Sequence, residues 1–313
     1  MTGPASVVIP CHRSDRFAQL ATAVAAVAAQ RPAPAEVIVV VDHNPALYRR
    51  ASAELAGVTV LANAYAPGVS GTRNTGVRHA GTDLVALLDD DARPHPGWLA
   101  GLLAPFAQAE VVGTGGAIEP VWARPRPAWF PPEFLWAVGG APATGGAAAT
   151  RAGTATRNVW SASMAVRRAV FLAVGGFRVG FGKVGDTPAP EDTELCLRMS
   201  RYGGGQWRRV DAAVVDHPVP AVRTAFGFFL RRCYQEGRGK VRMARLVGWA
   251  GLAAERAYLT RTVPRALARG LSDAVRGRSA AALAQCAAAL AGLAAAGLGG
   301  AVESVRPARA VAA

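Results

Sequence analysis

Leu84-Val85-Ala86-Leu87-Leu88-Asp89-Asp90-Asp91 is the stretch on which the fold turns. Five apolar residues in a row read as a strand covered on both faces, and such strands belong to parallel sheets flanked by helices. This one ends in three consecutive carboxylates. Asp89 and Asp91 project the same way if the extended geometry continues. Carboxylates this close repel one another unless a cation sits among them. A hard divalent ion with oxygen ligands, Mg2+ or Mn2+, completed by substrate phosphates, is the natural occupant; a solvated acidic turn is the alternative.

Working outward, Ser6–Pro10, Glu36–Val41, Val58–Leu61 and Val111–Gly113 also read as strands, with helical patterns between them. Apolar runs at this separation indicate parallel strands joined by crossover helices. Such a sheet takes its ligand beyond the carboxyl ends of its strands. Pro10-Cys11-His12 closes the first strand and Asp42 the second, so both should meet Asp89–Asp91 at one crevice. Between them, Gly68-Val69-Ser70-Gly71-Thr72-Arg73-Asn74-Thr75-Gly76 reads as a Gly-rich turn opening a helix. Arg73 and Asn74 there suit a phosphate or a nucleobase, although the spacing matches neither a P-loop nor a dinucleotide fingerprint.

The 313 residues carry 35 Lys+Arg against 21 Asp+Glu, a formal charge of +14, and are 51% hydrophobic. That composition excludes a disordered or collagen-like chain. Only Lys183 and Lys240 are lysines, so part of the arginine excess reflects the coding bias of a GC-rich genome. Cys11, Cys196, Cys233 and Cys286 are scattered, which points to reduced thiols in a cytosolic protein. No signal peptide is expected ahead of the first strand.

Three zones follow. Residues 1–118 should form a doubly wound α/β half. Residues 119–218 hold a long Pro-, Gly- and Trp-rich loop over 120–146, a helix near Asp192–Arg201 and a strand from Trp207 to Val215. Loops of that length are usually functional lids. Gly175–Gly185, just before Asp192, has the composition of a second mobile loop. Residues 219–313 are a basic tail: from Arg223 to Arg278, 13 Lys+Arg stand against 3 Asp+Glu. Leu259, Val263, Leu267, Leu271 and Val275 define one face of an amphipathic helix, opposite Arg261, Arg265 and Arg269. Residues 279–302 are uncharged and long enough to span a bilayer. Half of them are Ala, so a helical hairpin is expected instead.

In order along the chain, Val7-Val8-Ile9-Pro10, Val40-Val41-Asp42, Gly71-Thr72-Arg73-Asn74-Thr75-Gly76, Leu87-Leu88-Asp89-Asp90-Asp91, Ser163–Arg168, Val174-Gly175-Gly176-Phe177 and Pro190–Arg198 resemble the family 2 glycosyltransferases of GT-A fold. Trp129–Gly140 and Cys233-Tyr234-Gln235-Glu236-Gly237 look like the glucosyl-dolichyl phosphate glucuronosyltransferase subgroup. The resemblance covers roughly residues 5–245. It implies an α/β, Rossmann-like, mostly parallel sheet with a helical basic tail, and transfer of one sugar from a nucleotide-diphosphate donor, UDP-linked, to a hydroxyl acceptor on a lipid-linked glycan or polysaccharide precursor.

The same resemblance implies roles. Pro10, Cys11, His12, Asp42, Arg73, Asn74, Asp89 and Asp90 would hold the donor nucleotide, with Asp42 on the uracil. Asp89, Asp91 and His217 would hold Mn2+ or Mg2+. Asp192 would be the catalytic base of an inverting transfer, although an Asp at a helix start also caps well. Glu191, Trp136 and Trp160 are candidates for the acceptor or the lid, and Trp129 too could stack on a sugar ring. The Gln-x-x-Arg-Trp signature of processive members has no match, so a non-processive enzyme is expected. The basic helix suggests a cytoplasmic protein peripheral to the inner face of the cell membrane, on anionic lipid. Nucleic acid is not expected as a partner, since the basic residues follow an amphipathic pattern with little aromatic interleaving. The rival readings are a non-catalytic membrane-surface or nucleic-acid-binding protein and a sugar nucleotidyltransferase.

Overall fold

The computed structural model describes residues 3–143, 153–182, 189–277 and 281–307. Its strands are β1 (Ala5–Cys11), β2 (Glu36–Val41), β3 (Thr59–Ala62), β4 (Leu84–Leu88), β5 (Arg93–Pro94), β6 (Val111–Trp122), β7 (Thr154–Thr156), β8 (Ser163–Arg167) and β9 (Gln206–Val219). They make one sheet in the order β3-β2-β1-β4-β8-β6-β9-β5, with β7 paired to β9. β1 to β4 are mutually parallel. β8 lies antiparallel between β4 and β6, β9 is parallel to β6, and β5 and β7 run against β9. Most strands therefore share one direction, as their doubly apolar character led us to expect.

The helices are α1 (Phe17–Ala28), α2 (Pro45–Glu54), α3 (Val69–His79), α4 (Trp98–Leu103), α5 (Arg168–Ala173), α6 (Glu191–Arg201), α7 (Phe226–Val247), α8 (Ala253–Ala257), α9 (Val263–Val275) and α10 (Ala282–Ser304). Alternate residues of the central strands face two cores. Val7, Ile9 and Val39 pack under α1 and α4, while Val8, Ile38 and Leu87 pack under α3, α5 and α6. A strand sandwiched in this way is apolar on both faces except where a partner waits, as for Ser6 of β1, whose hydroxyl meets Glu36 and Thr82.

Two expectations change. The Gly71–Gly76 run is not a turn before a helix: α3 already starts at Val69, capped by Gly68. Its glycines serve close packing, because a Cβ at Gly76 would lie 2.3 Å from Val8 Cγ1 and one at Gly71 would lie 2.7 Å from Tyr65 Cβ. The second change concerns residues 279–302. From Ala282 they form a single helix, not a hairpin folded on itself. α10 turns back along α9 and then runs beside α7 in the same direction. Gly292 meets Phe229, Gly237 meets Ala296, and Glu303 receives Arg238 and Arg242. Added Cβ atoms at Gly237 and Gly299 would fall on the carbonyls of Ala296 and Tyr234. Small residues thus let the two helices touch at backbone distance. The Gly-rich segment is described as far as Gly182; Gly185 and the rest of its second half lie outside the described residues, as do residues 144–146 of the long loop.

Candidate active site

β1, β2 and β4 are parallel neighbours, so their carboxyl ends open on one side. A cavity of about 1640 Å³ lies there, and Pro10, Cys11, His12, Asp42, Asp89, Asp90 and Asp91 all line it. The three strand ends therefore converge as their chemistry suggested. Cys11 is a buried part of the wall, and burial pushes its thiol far above the ordinary range, which leaves it no nucleophilic role.

Asp89, Asp91 and His217 each offer a ligand atom, all within 4.8 Å of one another. His217 stands on β9, which brings it across the sheet to the end of β4; its Nε2 lies 3.6 Å from Asp91 Oδ1, and its buried Nδ1 has no partner. Burial holds the imidazole pKa below its usual value against the pull of Asp91. A neutral imidazole and two carboxylates are a donor set that fits a divalent cation. Arg16, just after β1, reaches Asp91 Oδ2 at 2.9 Å and Asp90 Oδ1 at 3.3 Å. Asp90 is itself buried. Burial, with the charge of Asp91 beside it, pushes its carboxyl up to about 7.

Asp42 is held by three donors. Asn63 Nδ2 donates to Oδ1 at 2.7 Å, the Gly68 N–H to Oδ2 at 2.9 Å, and His43 Nδ1 lies 2.8 Å from Oδ1. Burial alone would raise its pKa, but these hydrogen bonds outweigh burial and keep it below the ordinary carboxylate range. The result is an ionised carboxylate of fixed orientation at the cavity wall.

Arg73 is buried and joins two elements. Its Nη2 reaches Asp89 Oδ1 at 2.9 Å and its Nη1 reaches Glu191 Oε1 at 3.4 Å. Asn74, one residue on, points the other way: its amide donates to the Phe177 carbonyl and accepts from the Phe177 N–H. Both ends being used, Asn74 ties α3 to the 175–182 segment and does not line the cavity, which removes it from the donor-binding set.

Glu191 and Asp192 open α6 and both line the cavity. The cap position belongs to Pro190, and Ser161, which lines the cavity with Asp192, favours its ionised form. Asp192 is therefore not the helix cap. Among the described residues its buried Oδ1 has no partner. Burial raises the pKa of Asp192 and of Glu191, with Arg73 opposing in each case. Burial thus outweighs the helix dipole, which by itself would favour the ionised carboxylates.

The far wall comes from the tail. Trp160 and Trp136 line the cavity, and the Arg232 guanidinium lies 5.5 Å from the Trp136 ring centroid. Trp129 instead packs edge-on against Phe226 and Phe229 in an aromatic core. Glu236, in the Cys233–Gly237 motif, lines the cavity between Arg232 at 3.0 Å and Lys240 at 3.2 Å, and Lys240 continues to Glu255. Burial opposes ionisation of Glu236, but Lys240 and Arg232 prevail and draw its pKa down to about 2. A depressed carboxylate stabilises the fold fully above its unfolded value, roughly 4.3, and that stabilisation is lost as pH falls toward about 2. Glu236→Gln is expected to cost on the order of 3 kcal/mol at neutral pH, since it takes the carboxylate from Arg232 and leaves Lys240 with Glu255 alone. Its urea midpoint should also depend less steeply on pH below about 5 than that of the unaltered protein. Equal slopes would place the acid sensitivity elsewhere.

Arg16, Asn63, Ser161, Lys240 and Glu255 were not singled out in the sequence. Arg16 is one of many arginines, and nothing in its spacing marks it. Glu236 stood within a quoted motif and could have been found.

The sequence profile of glycosyl transferase family 2 matches residues 6–171, just over half of the chain. The glucosyl-dolichyl phosphate glucuronosyltransferase of Haloferax volcanii is 28% identical over 240 residues, 75% of each protein. A mannosyltransferase of Pyrobaculum calidifontis, solved with GDP-Man and Mn2+, superposes with a TM-score of 0.59 over 96% of this chain and 88% of its own, at 18% identity. GalNAc-T7, solved with UDP, GalNAc and Mn2+, superposes with a TM-score of 0.56 over 78% of this chain, at 18% identity. This match spans about half (48%) of the GalNAc-T7 chain. At such identities these two likenesses speak for the fold, which is GT-A. With its profile match over more than half its length, this chain belongs to glycosyl transferase family 2 and is a glycosyltransferase.

Proposed function

We propose that this glycosyltransferase moves one sugar, with inversion, from a UDP-sugar to a hydroxyl of a polyprenyl-phosphate-linked glycan precursor, at the cytoplasmic face of the membrane. The observation that carries the reading is the buried, unpartnered Asp192 Oδ1, in the same cavity as the Asp89, Asp91 and His217 cluster. A buried carboxylate oxygen without a donor is costly unless a substrate supplies one. An acceptor hydroxyl is such a donor.

Asp42, fixed by Asn63, His43 and Gly68, accepts from the N–H of the nucleobase. Asp89, Asp91 and His217 hold Mn2+ or Mg2+, which when bound supplies Lewis-acid stabilisation of the diphosphate leaving group. Arg73 fixes Asp89 relative to Glu191, and so sets the donor end of the cavity against the acceptor end. Asp192 takes the hydroxyl proton as the oxygen attacks the sugar carbon and the nucleoside diphosphate leaves. Its raised pKa makes it the stronger base. Trp136 and Trp160 offer apolar faces to the acceptor.

Calorimetry of UDP and GDP with and without Mn2+ tests the donor assignment. UDP is expected to bind only with the metal, and more tightly than GDP. Tighter binding of GDP would move the donor to the guanosine series, and binding of neither nucleotide would refute the reading.

A further inference from the structure

α10 is built with its larger side chains outward. Leu283, Leu290 and Leu298 are 58%, 54% and 61% exposed, whereas Ala288, Ala289, Gly292 and Gly299 are buried against the protein. The exposed stripe Leu283, Ala287, Leu290, Ala294, Leu298 and Ala301 follows helical spacing and contains no polar side chain. It runs for about 27 Å at 1.5 Å per residue. A helix folding in water gains by burying leucine and exposing alanine. The reverse arrangement, small residues at the helix contact and leucines outside, is the one that suits hydrocarbon surroundings.

α10 is long and apolar enough to cross a bilayer, but its neighbours oppose that placement. It lies along α7, which carries Arg231, Arg232, Glu236, Arg238, Lys240, Arg242 and Arg245. The pairs from Arg238 and Arg242 to Glu303 lock the two helices together. A spanning α10 would draw those charges into hydrocarbon at a cost of several kcal/mol. A helix lying in the interface with one face buried meets both constraints. The neighbouring α9 exposes Leu271 and Val275 together with Arg265, and Arg261 lies exposed just before it. Exposed arginines beside an apolar face complement anionic headgroups.

We infer that the outward face of α10, flanked by the arginines of α9, is the surface by which this protein lies in the plane of an anionic bilayer. The cavity that holds Asp192 extends to the edge of this surface: exposed Gly297, next to Leu298 on α10, lines it along with Leu293 and exposed Leu259. A prenyl chain in the membrane therefore meets the cavity where its head must go. The inference deepens the lipid-linked acceptor reading, but its test needs no acceptor.

The full chain is sedimented with phosphatidylcholine vesicles, with and without about 30% phosphatidylglycerol. The unaltered protein is expected to partition to the anionic vesicles at least about tenfold more strongly than to the neutral ones. The triple variant Leu283→Gln/Leu290→Gln/Leu298→Gln should lose about 100-fold of that binding while its UDP and Mn2+ affinity is kept. Should the triple variant fail to fold, Leu290→Gln alone is expected to lose several-fold. The inference is overturned if the leucine variants sediment like the unaltered protein, or if the unaltered protein ignores both kinds of vesicle. A dimer in light scattering that the triple variant makes monomeric, with no vesicle binding by either, would assign the face to a second copy of the chain and overturn it too. Transfer to a short, water-soluble acceptor is measured separately. Its persistence alongside failed vesicle binding would sink this surface and leave the transferase reading standing.

Discussion

Asp192→Asn is expected to lower transfer by about a thousandfold, within the span usual for removing a general base, while leaving metal-dependent UDP binding nearly unchanged. Asparagine keeps the size of the side chain, but it cannot take the proton of an attacking hydroxyl. The charge removed is buried and disfavoured by its surroundings, since burial already raises its pKa and its Oδ1 has no donor. The variant should therefore melt no lower than the unaltered protein. That separates a lost base from a damaged fold. The loss should appear in kcat and kcat/KM together, as for an interaction made in the transition state. Near-normal transfer would place the base elsewhere, or make the acceptor a group that is already ionised. A lower melting temperature with lost UDP binding would instead make Asp192 a structural residue.

Most of the donor half was legible because its signals are local. An apolar run closed by Asp89, Asp90 and Asp91 declares its burial, its direction and its chemistry within eight residues, and the same holds for Val37–Asp42. The antiparallel strand β8 was harder, because Ser163–Arg167 is short and gains its strand character only from pairing on both sides with β4 and β6. Asn74 shows the limit of motif reading. It sits beside Arg73, but consecutive residues on a helix point about 100° apart, so one reaches Asp89 and Glu191 while its neighbour clamps Phe177. Arg16 and Ser161 were invisible for a related reason: each acts on a residue far along the chain, Asp91 in one case and Asp192 in the other. The tail was half legible. Periodicity foretold an amphipathic α9, but whether a Leu on an Ala-rich helix points inward depends on the partner. The glycines of α7 and α10 settle that by letting the backbones touch.

Asp91→Asn should abolish the metal dependence of donor binding. Asp91 is close to both the imidazole of His217, at 3.6 Å, and the guanidinium of Arg16, at 2.9 Å. Loss of a residue behind a ligand typically costs 10- to 100-fold in metal affinity, so loss of an anionic ligand itself should cost on the order of 100-fold or more. Without metal, the substitution is mild. One of three crowded carboxylates goes, Arg16 keeps Asp90, and the repulsion that helps to hold the Asp90 carboxyl near 7 falls. Melting in EDTA should therefore match that of the unaltered protein. With Mn2+ the two should diverge: a ligand at about 100 times its dissociation constant stabilises by roughly 2.7 kcal/mol, and the variant should gain almost nothing at the same concentration. Equal Mn2+-induced shifts in both proteins would mean that the ion sits away from Asp91. In that case Arg16, already paired to Asp90 and Asp91, would be the charge that faces the diphosphate.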